Sequence, residues 1–291
     1  MDFRYLELIQ NVYPDLSIEE VAPNDIGQNN DVFIINHCYV FRFPKYKAGI
    51  TGLKIETALL ESIQHHATIP IPNPVYKSFE AMEVGKVFAG YKLIQGTPLW
   101  KEELVNIQDK NVLNGLATQL SAFLHALHSI PRKQIAHIFG HETREPGCEI
   151  KEWYAKIQNM LYPLMREDAR EKVSRMFDAF LAKEKHLNIK QTLIHGDFGA
   201  SNILWEADCC RISGIIDFGG SGLGDPAYDF AGILASYGED FLSRCLHLYP
   251  DGLELLDRAI FYKKTFALQE ALHGVEHNDR EALENGIRDY R

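Results

Sequence analysis

A change of pattern near residue 96, with one exception to it, constrains this chain more than any other feature. Before Gly96 the apolar residues come in short β-rich runs: Ile18 to Val21, Val32 to Ile35, Tyr39 to Phe43, Val75 to Phe79 and Val87 to Ile94. A helix over residues 3–12 precedes them, with Phe3, Leu6, Ile9 and Val12 at helical spacing and Pro14 behind it, and a second helix is expected over Gly49–Ala67 with Ile55, Leu59, Leu60 and Ile63 on one face. Asn36-His37-Cys38 reads as a hairpin turn, and the proline-rich Ile69 to Pro74 closes the second helix. After Gly96 the period becomes helical, over about Lys110–Ser129, Glu149–Met165, Asp168–Lys185, Pro226–Tyr237 and Leu253–His273. The exception is the island Thr192 to Phe218, with β-rich runs at Leu193-Ile194, Ile203 to Trp205 and Ile212 to Ile216.

This arrangement predicts an α+β chain with a bilobal, protein-kinase-like fold. Residues 1–95 form a small antiparallel-sheet N-lobe that ends in a hinge, and residues 96–291 a larger, mainly helical C-lobe that carries a β-hairpin. With 291 residues, 46% hydrophobic and 24% charged, the chain can bury a substantial core, which excludes a disordered tail or linker. The net charge of −10 argues against a nucleic-acid partner and permits electrostatic attraction of cationic ligands. Five cysteines without a CxxC pair suggest neither a disulfide framework nor a zinc site. No signal segment follows Met1, and no run nears the ~18 apolar residues that span a bilayer. A cytoplasmic monomer without a membrane partner is expected.

Chemistry is concentrated in the island. His195-Gly196-Asp197-Phe198-Gly199-Ala200-Ser201-Asn202 sets a carboxylate five residues before an amide, and Ile216-Asp217-Phe218-Gly219 follows on the far side of the expected hairpin. Phosphoryl transfer needs a carboxylate to accept or orient the acceptor's hydroxyl proton, and hard oxygen ligands for a magnesium ion bridging the phosphates. One loop can present Asp197 to the acceptor and Asn202 to the metal, and the hairpin returns Asp217 as the charged ligand. A lone His-Gly-Asp is a common turn. Both motifs at this spacing would arise by chance in far fewer than about one in a hundred thousand chains. His195 reads as a residue that holds the loop by hydrogen bonds, and Asp225 and Asp229 as helix-start and structural residues, because Asp225-Pro226 is a helix-initiation signal.

These motifs, together with Gly224-Asp225-Pro226-Ala227-Tyr228-Asp229, resemble the signature of the aminoglycoside phosphotransferases, which have Gly where protein kinases have Arg between the His and the Asp. The resemblance covers nearly the whole chain, including Val40 to Pro44 and Tyr91 to Gly96, and is nearest to the 2″-phosphotransferases. It implies Mg²⁺-dependent transfer of a γ-phosphate to an aminoglycoside hydroxyl, an antibiotic-resistance activity. Kinases of choline, homoserine, methylthioribose and macrolides share the signature, so the acceptor stays open. A non-catalytic, nucleotide-binding regulator is the third reading, against which the intact Asp197, Asn202 and Asp217 count.

On the nucleotide side, Gly27 to Asp31 matches the family's loop over the phosphates but lacks GxGxxG. Alternation puts Val40 and Arg42 on one face of their strand and Tyr39, Phe41 and Phe43 on the other. Arg42 falls where protein kinases have a phosphate-contacting lysine paired with a helix glutamate, here Glu56. Lys45 and Lys47 remain alternative phosphate contacts. Tyr91 to Gly96 resembles the hinge, with backbone groups of Lys92 and Ile94 available to the purine. At Tyr91 the resemblance implies a guard at the back of the base pocket, where bulk favours GTP over ATP; an aromatic packed in an ordinary core is the other reading. For the acceptor, the resemblance directs attention to the carboxylates Glu239, Asp240 and Glu270.

Overall fold

Alternating residues of the first strands decide how the N-terminal sheet is built. The computed structural model describes residues 3–24, 29–139, 146–187 and 189–291. Helix α1 (Phe3–Val12) precedes β1 (Val21–Asn24), β2 (Asn30–Ile35) and β3 (Tyr39–Pro44); α2 (Lys47–Ile63) then leads to β4 (Tyr76–Ser78) and β5 (Phe88–Lys92). The five strands form one sheet in the order β1-β2-β3-β5-β4, antiparallel throughout. Phe41, Phe43 and Phe88 point to one face, where they pack with Phe33, Ile35 and Ile9. The other face carries Val87 and Ala89 against Ile50 and Leu53 of α2. Each fully buried aromatic of this kind contributes roughly 1.5–3 kcal/mol of hydrophobic stabilisation.

The chain divides into two compact units, Met1–His141 with Ala200–Ser221, and Glu142–Gly199 with Gly222–Arg291. The first also contains β6 (Thr97–Pro98), α3 (Lys101–Asn106), α4 (Lys110–His128) and α5 (Arg132–Phe139). This grouping runs across the 95/96 boundary read from pattern. The second unit contains α6 (Pro146–Lys156), α7 (Glu167–Leu181) and β7 (Thr192–Ile194). The chain then returns to the first unit through β8 (Ile203–Glu206) and β9 (Arg211–Ile215), which form a sheet with β6. β10 (Gly222–Gly224) pairs antiparallel with β7, and α8 (Ala227–Tyr237), α9 (Glu239–Leu248), α10 (Leu256–His277) and α11 (Arg280–Ile287) complete the second unit. Among the described residues, no helix is long and apolar enough to cross a membrane.

Several expected elements shift for identifiable reasons. The first strand begins at Val21, not Ile18. The backbone of the preceding segment is bound by a side chain instead: Glu19 and Glu20 N–H donate to Asn36 Oδ1 at 2.9 and 3.0 Å, and Asn36 Nδ2 donates to the Ser17 carbonyl at 2.7 Å. Asn36 and His37, at φ 51° and 52°, form the left-handed centre of the β2–β3 turn, closed by Cys38 N–H donating to the Ile35 carbonyl. Ile55 is only half-buried, while Leu59, Leu60 and Ile63 are buried as expected, joined by Ile50, Leu53, Glu56 and Thr57. The helix expected over Glu149–Met165 is α only to Lys156, then widens into a π turn, Ile157–Leu161, and a 3₁₀ turn, Tyr162–Leu164. Pro163 explains this, since it has no N–H to donate and its ring would crowd the Asn159 carbonyl in a continued α-helix.

Asp225 is the buried anchor of the second unit. Its carboxylate accepts from Ala227 N–H at 3.0 Å and from Arg258 Nε and Nη2 at 2.8 and 3.2 Å. Replacing Arg258 with Ala is expected to lower unfolding free energy by about 2 kcal/mol, measured by urea denaturation. The loss should stay below that of a fully orphaned charge, because the Ala227 amide remains. An unchanged urea midpoint would make the pair energetically idle.

Candidate active site

The polar residues singled out from sequence fall into two groups, one in each unit. In the first unit, strand alternation turns Arg42 away from the phenylalanine core and toward α2. Its Nη1 lies 2.6 Å from Glu56 Oε1, with the two side chains only 13% and 4% exposed. Its Nη2 lies 3.7 Å from Asp217 Oδ1. Burial opposes the Arg42 charge, but Glu56, Tyr91 and Asp217 outweigh it and hold the guanidinium pKa above its ordinary value. Arg42 therefore stays cationic at any working pH.

Asp217 follows β9 in the left-handed region, φ 63° and ψ 73°, and its side chain is 52% exposed. A non-glycine residue there carries local strain, which a site retains where the conformation aims a side chain. Gly219 makes room for it: a Cβ at Gly219 would sit 3.3 Å from Asp217 Oδ1 and 3.7 Å from Glu56 Oε2. Asn202 ends a 3₁₀ turn, Ala200–Asn202, with its side chain buried, and its carbonyl accepts from Ile216 N–H at 2.9 Å. One hairpin thus fixes the chain at Asn202 and just before Asp217. Lys45 lies 3.9 Å from Asp31 Oδ1. Lys47 opens α2 and is exposed. Gly27 and Gln28 of the expected phosphate loop lie outside the described residues. Tyr91 and Lys92 end β5, and Ile94 follows in the connection toward β6, its Cγ2 occupying the space a Gly214 side chain would need.

In the second unit, Asp197 is exposed between two buried neighbours, His195 at 0% and Phe198 at 2%. The loop is held by Asp229, itself fully buried, whose two oxygens accept from His195 N–H at 2.8 Å and Gly196 N–H at 2.9 Å. Asp197 N–H donates to His195 Nδ1 at 3.2 Å. Both His195 and Asp229 therefore hold the loop by hydrogen bonds, the kind of part expected of them. Gly196 has φ +82°, a conformation that explains glycine between His and Asp.

Three residues on one stripe of α8 receive this loop, and sequence reading gave a part to only one of them. Asp229 binds it, a Cβ at Gly232 would lie 2.4 Å from the Phe198 carbonyl oxygen, and Ser236 Oγ sits 3.5 Å from where a Gly199 Cβ would be. Small and polar residues at i, i+3 and i+7 in an otherwise apolar helix were the available signal. Tyr228 was also missed as a neighbour of Asp197. Its hydroxyl donates to Gln269 Oε1 at 2.9 Å, and its pKa is pushed up to about 12 by burial, with Asp197, Asp229 and Glu149 adding to the rise. Glu239 and Asp240 occupy the first turn of α9, where the helix dipole favours acids, and Glu270 is exposed on α10 beside Gln269. Glu239 also borders a hollow of about 220 Å³ lined mostly by leucines, Leu242, Leu246 and Leu256 among them.

Comparison with known proteins adds to this geometry. Residues 20–262 match the phosphotransferase enzyme family. Viomycin phosphotransferase of Streptomyces vinaceus is 33% identical over 202 residues, 68% of this chain and 67% of that protein. The solved GDP and kanamycin complex of APH(2")-IIia superposes with a TM-score of 0.89 at 25% identity, covering 99% of this chain and 97% of that one. The solved GDP complex of wild-type aminoglycoside 2'-phosphotransferase-IIIa superposes at 0.90 with 24% identity, covering 98% and 96%. The chain has the kinase-like fold of these proteins, with an antiparallel-sheet N-terminal region and a mostly helical remainder, as its sequence pattern predicted.

Proposed function

The chain belongs to the phosphotransferase enzyme family, and from that membership we propose that it moves the γ-phosphate of GTP, or less readily ATP, to a hydroxyl of an aminoglycoside. The observation that carries this reading is the presentation of Asp197: an exposed carboxylate on a loop whose backbone at His195 and Gly196 is bound by buried Asp229. The reading assigns residues 1–95 to nucleotide binding and residues 96–291 to the catalytic loop and the acceptor. In the transfer step Asp197 accepts the hydroxyl proton, the acceptor oxygen forms its bond to the γ-phosphorus, and the bond between that phosphorus and the β–γ bridging oxygen breaks.

Magnesium is implied by this chemistry, and the donor set fits it. Asp217 offers a half-exposed carboxylate and Asn202 an amide oxygen, both hard ligands. Among the described residues no group of three or more His, Cys, Asp or Glu could hold a metal by itself, and a magnesium bound jointly by phosphates needs no such cage. When bound, the ion neutralises charge on the phosphates. Arg42, kept cationic by Glu56, supplies the protein's own positive charge to them. Tyr91 bounds the base, and the backbone groups of Lys92 and Ile94 hydrogen-bond its edge.

Glu239, Asp240 and Glu270 are assigned to the acceptor's ammonium groups, since an aminoglycoside offers many charges and little apolar surface. Converting all three to their amides together is expected to raise KM for a kanamycin-like acceptor about tenfold at low salt, with a weaker effect on nucleotide KM. Added salt should weaken acceptor binding to the unmodified chain. An unaltered acceptor KM at low salt would make them surface charges. The 33% identity to viomycin phosphotransferase favours one second reading, in which viomycin is the acceptor. Assay of both antibiotics with GTP and with ATP separates the two.

A further inference from the structure

The register between β3 and β5 puts Tyr91 opposite Val40 and Ala89 opposite Arg42. Residues two apart on a strand share a face, so Tyr91 and Arg42 are diagonal neighbours on the α2 side of the sheet. A guanidinium has five N–H donors in a rigid plane. Arg42 directs Nη1 to Glu56 at 2.6 Å and Nη2 toward Asp217 at 3.7 Å, and the register sets the Tyr91 side chain beside it on the same face. Burial raises the Tyr91 pKa, so the phenol stays protonated and neutral, with oxygen lone pairs able to accept from a guanidinium.

We propose that the Tyr91 hydroxyl is a positioning group that holds the Arg42 guanidinium between Glu56 and Asp217, so that the residue bounding the base pocket also fixes the phosphate-facing cation. The inference rests on the nucleotide-binding reading above and adds to it. Tyr91 then has two separable actions: its ring sets room for the base, and its oxygen sets the place of a charge. The ring action requires only bulk. The oxygen action requires Arg42, because a lysine ammonium is a single point charge with no plane for a third partner to orient.

The test is a double-mutant cycle of Tyr91→Phe and Arg42→Lys, read by the Kd of a fluorescent Mg-GTP analogue, by kcat and KM with GTP and ATP, and by Tm. Tyr91→Phe is expected to weaken Mg-nucleotide binding about tenfold, with the GTP to ATP ratio of kcat/KM held within about twofold, as loss of one charge-assisted hydrogen bond requires. In the Arg42→Lys background the same change should cost about twofold or less, the coupling expected of two groups in contact. Tyr91→Met, by contrast, should move the GTP to ATP ratio. An equal, additive loss in both backgrounds, or wild-type Mg-nucleotide affinity in Tyr91→Phe, would overturn the proposal. Because the cycle is read in nucleotide binding, it decides the question even if no aminoglycoside proves to be an acceptor. A wild-type chain that bound no nucleotide would sink both readings.

Discussion

Asp197→Ala is expected to lose about 10²- to 10⁴-fold in transfer rate, the span by which a positioned general base accelerates proton removal, while binding Mg-nucleotide as the unmodified chain does. The split follows from where the carboxylate sits. Asp197 belongs to the loop bound by Asp229, whereas Arg42, Glu56, Asn202 and Asp217 are fixed by β3, α2 and the β8–β9 hairpin. The loop's own attachment runs through the backbone of residues 195 to 197 and the His195 ring. Truncating an exposed side chain leaves those bonds in place, so the variant should fold with an unchanged Tm. Single-turnover phosphate transfer and equilibrium nucleotide binding, measured on the same preparation, check both halves. Wild-type turnover would remove Asp197 from its assigned part, and joint loss of turnover and nucleotide affinity would make it part of the nucleotide site instead.

Asp217→Ala is expected to lower Mg-dependent nucleotide affinity by about 100-fold, at or above the upper end of what outer partners of a metal contribute, and Asn202→Ala by about tenfold. A charged oxygen holds a hard dication more strongly than an amide does. Asp217 needs a second variant, because alanine tolerates φ 63° poorly and could report strain. Asp217→Asn keeps a residue suited to that conformation and removes only the charge. The comparison is made with and without chelator: both Asp217 variants should lose the magnesium-dependent part of binding and keep the remainder. Equal Mg-nucleotide affinity in the unmodified chain and Asp217→Asn would contradict the assignment.

How much of this could be read in advance depended on the range of each interaction. The Arg42–Glu56 pair was legible because strand alternation places Arg42 off the phenylalanine face and the protein-kinase pattern pairs the residue there with a helix glutamate. The Asp197 and Asp217 segments stood out because the phosphoryl transfer proposed for them asks for those residue types at that spacing. The short helices α3, α5 and α11 were not, since six to eight residues show barely two turns of period. The α10–α11 connection did carry a signal that was passed over. Asn278 is left-handed at φ 55° and Asp279 caps the next helix, accepting from Glu281 and Ala282 N–H at 3.0 and 3.1 Å. The receiving stripe of α8 was illegible for a different reason: what Gly232 avoids is a carbonyl 34 residues earlier in the chain, and only tertiary structure brings them together.

The arginine at position 42 has a consequence for covalent chemistry. Reagents that deliver an acyl group from a nucleotide phosphate depend on a neutral amine lying beside it, and a lysine in a phosphate site can supply one by losing its proton. A guanidinium whose pKa is driven above its ordinary value by Glu56, Tyr91 and Asp217 offers no free lone pair to attack with. At this position the chain is closed to lysine-directed acylation while keeping its positive charge. A warhead aimed here would have to exploit the fork itself, through dicarbonyl condensation across its two terminal nitrogens, and would have to break the bond to Glu56 to reach them.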